Sequence, residues 1–202
     1  LTKFTWYEEF VIIQRDDFMM VQIEKTPNPN TLKFLPGQKV SAAGPVEFSN
    51  KDEKIQVTLA KDILALKGTE LVFFGEDFIT VKKENDFQWE DLKPSIISEI
   101  NDYYLKGNKL VISQDFNKST IADFDHSDET IKKINNILDT KVRPAVARDG
   151  GDITFKSFAD GVVTVELKGS CSGCPSSIMT LKQGVQNLLC HYIPEVKSVE
   201  AN

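Results

Sequence analysis

Histidine is nearly absent, cysteine is scarce and positive charge is in deficit. The 202 residues hold two His and three Cys, with 24 Lys plus Arg against 30 Asp plus Glu. The two histidines, His126 and His191, have no metal-ligand spacing, and neither a Ser/His/Asp set nor a phosphate-cradling glycine loop accompanies them. Nothing in the chain therefore points to catalysis of those kinds. A net charge of −6 argues against a nucleic-acid partner, which requires a basic face against the phosphates. No apolar run approaches the ~18 residues a membrane span needs, so no membrane partner is expected. Three cysteines without a framework spacing fit a reducing compartment. The first 18 residues carry two bases and four acids, unlike the Arg-rich, acid-poor composition of a transit peptide, and lack the features of a signal peptide. The expectation is a soluble intracellular protein.

What is present suffices for real cores: 41% of residues are apolar and 13 are Phe. The charge is uneven. From residue 128 onward nine bases cancel nine acids, so the first 127 residues carry the whole −6. Two units with different surfaces are expected, giving an α+β chain of two small domains joined by a linker.

In the first unit, read as residues 19–105, Val21 to Thr26 alternates like a strand and Pro27-Asn-Pro-Asn30 is a dense turn signal. Thr31 to Pro36 reads as a second strand, and Leu59 to Leu66 as a short helix. Leu71–Phe74 and Phe78–Val81 flank Gly75-Glu-Asp77 as a hairpin. Trp89, Leu92, Ile96, Ile100 and Tyr103 recur at helical spacing, with Pro94 in the permitted first turn. Residues 1–18 stand before this unit as an extension. Residues 106–126 lack sustained periodicity and read as the linker.

The second unit, 127–202, reads helix–strand–strand–helix–strand. Ser127 or Asp128 can cap a helix whose face holds Ile131, Ile134, Leu138 and Val142, and Pro144 kinks or restarts it. Two alternating strands, Ile153–Phe158 and Val162–Leu167, meet at an Asp160-Gly161 turn. Pro175 opens a helix with an apolar stripe of Ile178, Leu181, Val185, Leu188, Leu189 and Tyr192, and Val196 to Glu200 can add a last strand.

Between strand and helix lies Gly169-Ser-Cys-Ser-Gly-Cys-Pro-Ser-Ser177. Cys171 and Cys174 form a CxxC at a helix N-terminus, where unpaired N–H groups and the helix dipole favour thiolate. Gly169 and Gly173 let the backbone approach whatever the sulfurs hold, and no acid lies within the stretch. Three readings compete: an incidental pair of small residues, a thioredoxin-like redox site, and half of a metal site. The redox site fits poorly because the preceding strands form a local hairpin and not a βαβ unit. A zinc ion or an iron–sulfur cluster wants four ligands. Cys190 lies 16 positions beyond Cys174, roughly 24 Å along the helix, and about 150° from the stripe centre. It reads as an exposed, incidental thiol, and His191 is equally remote. The simplest completion is a second copy of the chain, whose loop across a two-fold axis supplies two more sulfurs.

Val142-Arg-Pro-Ala-Val-Ala-Arg-Asp-Gly-Gly-Asp-Ile153, the CxxC stretch and Tyr192-Ile-Pro-Glu-Val196 together resemble the NifU-type C-terminal domain. Thr26 to Gly37, with Phe73 to Val81, resembles the N-terminal domain of the Nfu iron–sulfur proteins. The resemblance implies a non-enzymatic carrier that receives a 4Fe–4S cluster from an upstream scaffold and passes it to apo-proteins. It maps the cluster ligands onto Cys171 and Cys174, shared across a homodimer, and places such proteins in bacterial cytoplasm or the mitochondrial matrix. The alternative is a CxxC thiol–disulfide oxidoreductase. Cys190 and residues 1–18 have no counterpart in the family pattern.

Overall fold

A computed structural model describes residues 20–119, 129–172 and 175–201. The extension, the end of the expected linker, the expected caps Ser127 and Asp128, and Cys174 lie outside them. The chain is α+β, as its patterning implies, and its described part is built on two sheets.

The first sheet is antiparallel and five-stranded, in the order β1 (Gln22–Lys25), β2 (Thr31–Leu35), β5 (Ile79–Lys83), β4 (Thr69–Phe74), β3 (Val46–Ser49). The Pro27–Asn30 turn joins β1 to β2, where Asn28 Oδ1 accepts from the Asn30 N–H at 3.0 Å, the local bond that makes Asn a turn residue. Period-2 alternation sends Leu32, Phe34, Val72, Phe74, Ile79 and Val81 to one face. There they pack with α1 (Thr58–Ala65) and α2 (Trp89–Leu105), through Leu59, Ile63, Leu92, Ile96 and Ile100. Each such fully buried side chain contributes about 1.5–3 kcal/mol. The opposite face is not left to solvent: Lys33, Leu71, Phe73 and Thr80 are buried on it.

The expected linker over 106–126 is corrected in its first part. Val111 and Ile112 are buried in the first core, Ile112 bridges to Ser41, and Phe116 meets Phe48 edge-on at 6.0 Å. The Tyr103 hydroxyl donates to the Leu110 carbonyl at 2.8 Å. One bridge and a 3₁₀ turn over Gln114–Ser119 carry no repeating pattern, so periodicity could not reveal them.

In the second unit α3 (Glu129–Ile137) runs through a π-helical turn (Leu138–Val142) into α4 (Arg143–Arg148). Pro144 sits in the first turn of α4, where its missing N–H is tolerated. β6 (Gly151–Ala159) and β7 (Val162–Gly169) form a hairpin closed by Asp160 (φ 55) and Gly161 (φ 86). Both turn residues are left-handed, as a type I′ turn requires. α5 (Pro175–Tyr192) crosses over, and β8 (Ser198–Ala201) adds parallel to β7.

Two expectations about α5 are corrected. Tyr192 does not close the apolar stripe: it is 50% exposed, and Ile193, 1% exposed, takes the core position. Cys190 is not on an outer face but half-buried against the second core. The flank one turn earlier is covered by β8, since Gln186 accepts the Val199 N–H at 3.1 Å, and Cys190 shares that flank at i+4.

Candidate functional site

The stem of the Cys171 loop is made by two glycine corners facing each other. Gly150 (φ 81) ends α4 and feeds β6, while Gly169 (φ 66) ends β7. The Ser170 N–H donates to the Gly150 carbonyl at 3.1 Å, and the Ser170 hydroxyl donates to the Asp149 carbonyl. A Cβ on Gly169 would stand 2.6 Å from the Gly150 oxygen and 3.1 Å from a ring carbon of Phe73. Packing and a left-handed backbone thus require glycine at position 169. A Cβ on Gly151 would stand 2.9 Å from the Cys171 sulfur. Past the stem the chain turns, with the Ser172 N–H and hydroxyl both donating to the Gly169 carbonyl, at 3.2 and 3.0 Å. Cys171 is only 6% exposed and belongs to the second core.

Beside it opens a cavity of about 520 Å³, lined among others by Val142, Val146, Cys171, Leu181, Val185 and, from the first unit, Pro27. Leu181 and Leu188 are half-buried because they form its wall.

The first unit reaches this stem with four side chains. Asn28 donates to the Ser170 carbonyl at 3.2 Å, Lys33 to the Arg148 carbonyl at 3.3 Å and Thr80 to the Gly150 carbonyl at 2.7 Å. Glu47 accepts the Gly169 N–H at 2.6 Å. Leu71, Phe73 and Phe78 pack between the units, with Leu35 and Ala147 against them. Local sequence patterns held no sign of these contacts beyond the polar residues placed inside apolar strands.

Two carboxyls near the stem are raised above their usual range. Burial pushes Glu47 up, opposed by the bond from Gly169 and the nearby Lys168 charge. Burial likewise raises Asp152, opposed by Arg143, whose Nε lies 3.4 Å away. The CxxC stretch itself holds no acid, yet the fold brings Glu47 to its edge.

Of the sequence-derived site residues, Cys171 is placed on this stem, whereas Cys174 lies outside the described residues. Cys190 and His191 sit in the last turns of α5, where His191 meets the Tyr192 ring edge-on at 4.9 Å. Among the described residues no three His, Cys, Asp or Glu side chains converge as a metal site, and no helix is long and apolar enough to cross a membrane.

Comparison with known proteins matches residues 21–107 to the family described as scaffold protein Nfu/NifU N-terminal, and 134–200 to the NifU-like domain. The human "NFU1 iron-sulfur cluster scaffold homolog, mitochondrial" is 45% identical over 184 residues, spanning 91% of this chain and 72% of the relative. NifU-like protein 4, mitochondrial, of Arabidopsis thaliana is 43% identical over 90% of this chain and 65% of its own length. A solution structure of a NifU-like protein from Saccharomyces cerevisiae aligns with 50% of this chain and 89% of its own, at 28% identity and a TM-score of 0.44. With both family segments present in order, and a relative of this identity matched over most of its length, the chain belongs to the Nfu family of scaffold proteins.

Proposed function

We propose that this chain works in iron–sulfur cluster assembly as a carrier, not as an enzyme. Cys171 and Cys174 from each of two copies hold one labile 4Fe–4S cluster, which arrives from an upstream scaffold and leaves to apo-proteins. The names of its relatives support the assembly role, and their mitochondrial designation supports the mitochondrial matrix as the place of action in a eukaryote. The observation that carries the reading is the position of Cys171. It stands at the mouth of a constrained stem between β7 and α5, with the next cysteine three positions on. Cys190 is most of an 18-residue helix away and cannot complete the same ligand set. Four thiolates then require a second chain, and a cluster held by one loop from each is accessible for transfer. The same reading divides the chain into an Nfu N-terminal domain and a cluster-binding C-terminal domain.

Anaerobic reconstitution with iron and sulfide tests this. The expected product is a brown protein with one 4Fe–4S cluster per two chains, bleached by strong reductant. It should sediment as a dimer, against a monomer for the metal-free form. A colourless protein that reduces disulfides would instead identify a thiol–disulfide oxidoreductase. A metal-free dimer of the same size would show that protein surface, not cluster, drives association.

A further inference from the structure

The side chains that reach the stem are not scattered. In the registers of the first sheet Glu24 opposes Lys33, Lys33 opposes Thr80, Thr80 opposes Phe73, and Phe73 opposes Glu47. These five residues form one straight row across all five strands, on the face away from α1 and α2. Glu24 pairs with Lys33 at 3.1 Å, and the Lys33 ammonium also lies 4.8 Å from the Phe78 ring centroid. From that row Lys33 takes the Arg148 carbonyl, Thr80 takes the Gly150 carbonyl, Phe73 abuts Gly169 and Glu47 takes the Gly169 N–H. Asn28, from the β1–β2 turn, adds the Ser170 carbonyl. Every one of these hydrogen bonds ends on a main-chain atom of 148–150 or 169–170, the two corners that carry Cys171.

We propose that this cross-strand row is a clamp on the stem of the Cys171 loop, and that its grip sets how long the loop retains an iron–sulfur cluster. The proposal rests on the carrier reading above. Its physical basis is preorganisation: a ligand held in one geometry loses less freedom on binding, so it releases its cargo more slowly. Fixing both corners at the main chain removes the hinge freedom that two left-handed glycines would otherwise give the stem. Glu47 and Thr80 are thus positioning residues, acting through the corners and not by touching iron.

The test uses the full chain with Thr80→Val and Glu47→Ala combined, and Glu47→Gln alone, which keeps an oxygen to accept the Gly169 N–H. Ile96→Val, on the helix-facing core, serves as a control for general loosening. Two quantities are read: amide exchange at Gly150 and at 169–171 in the metal-free chain, and the rate at which an iron chelator strips the reconstituted cluster. The double variant should raise both by on the order of tenfold, Glu47→Gln should stay near the parent, and Ile96→Val should leave the stripping rate unchanged. Equal stripping rates for parent and double variant would overturn the clamp, as would an equal acceleration by Ile96→Val. A parent that takes up no cluster overturns the carrier reading instead. In that case unchanged exchange in the double variant would still reject the clamp separately.

Discussion

On the carrier reading proposed above, replacing Cys171 or Cys174 with Ser would remove two of four sulfur ligands, because a two-fold axis would repeat the change. A serine oxygen is a hard, mostly protonated ligand and holds iron far less well than thiolate. Each variant is expected to show no cluster absorption after reconstitution. Cys171→Ser should also lower stability by about 1 kcal/mol, since a hydroxyl replaces a thiol in an apolar cluster. Cys190→Ser should load normally and lose a few tenths of a kcal/mol, reflecting its half-buried place against the core. Absorption spectra and thermal melts on the three proteins check this, and a Cys190→Ser protein that fails to load would sink the ligand assignment.

At the scale of elements, β3 matters beyond its four residues, because it is the strand that delivers Glu47. Burial raises the Glu47 pKa above its ordinary value of 4.5. The folded form therefore binds the proton more tightly than the unfolded chain. That contribution to stability is fully present below pH 4.5 and is lost as pH rises through the raised folded value. Gln at this position is neutral throughout. Parent and Glu47→Gln should accordingly match most closely near pH 4, with the variant gaining relative to the parent towards pH 7. Denaturant midpoints at the two pH values measure it; a parent that gains on the variant as pH rises contradicts the assignment.

The same elements show what a sequence can and cannot disclose. Asp160-Gly161, Pro175 and the alternating runs of β6 and β7 act within a few residues of themselves, so their hairpin and helix start are legible locally. The Cys171 stretch is legible for the same reason. β3 has too few residues to display alternation, and the row across the sheet exists only after four strand pairings set its register. Lys33 and Thr80 look like solvent-facing positions until a second unit covers them. The burial of Cys190 likewise depends on β8 lying along α5, a contact that helical angles alone do not contain.

For the whole molecule, residues 129–202 hold a complete second core, from Ile134 on α3 to Val199 on β8. Expressed alone, this fragment should fold cooperatively and take up a cluster, having both cysteines. Without Lys33, Thr80, Glu47 and Asn28 its stem is unclamped, so a chelator should strip the fragment faster than the full chain. Reconstitution and stripping of both proteins side by side decide the point. A fragment that keeps its cluster as long as the full chain would deny the first unit any part in retention.

The four hydrogen bonds described above from the first unit to the second end on three carbonyls and one amide, main-chain groups that any residue but proline supplies. The exposed side chain of Arg148 can therefore change without altering the carbonyl that Lys33 grips, whereas Lys33 has no such latitude. Outside the glycine corners, hydrogen bonding of this kind reads the path of the backbone and not the side chains gripped. Chimeras that join this N-terminal half to a relative's C-terminal half should then dock as natives do, provided the two glycine corners keep their geometry.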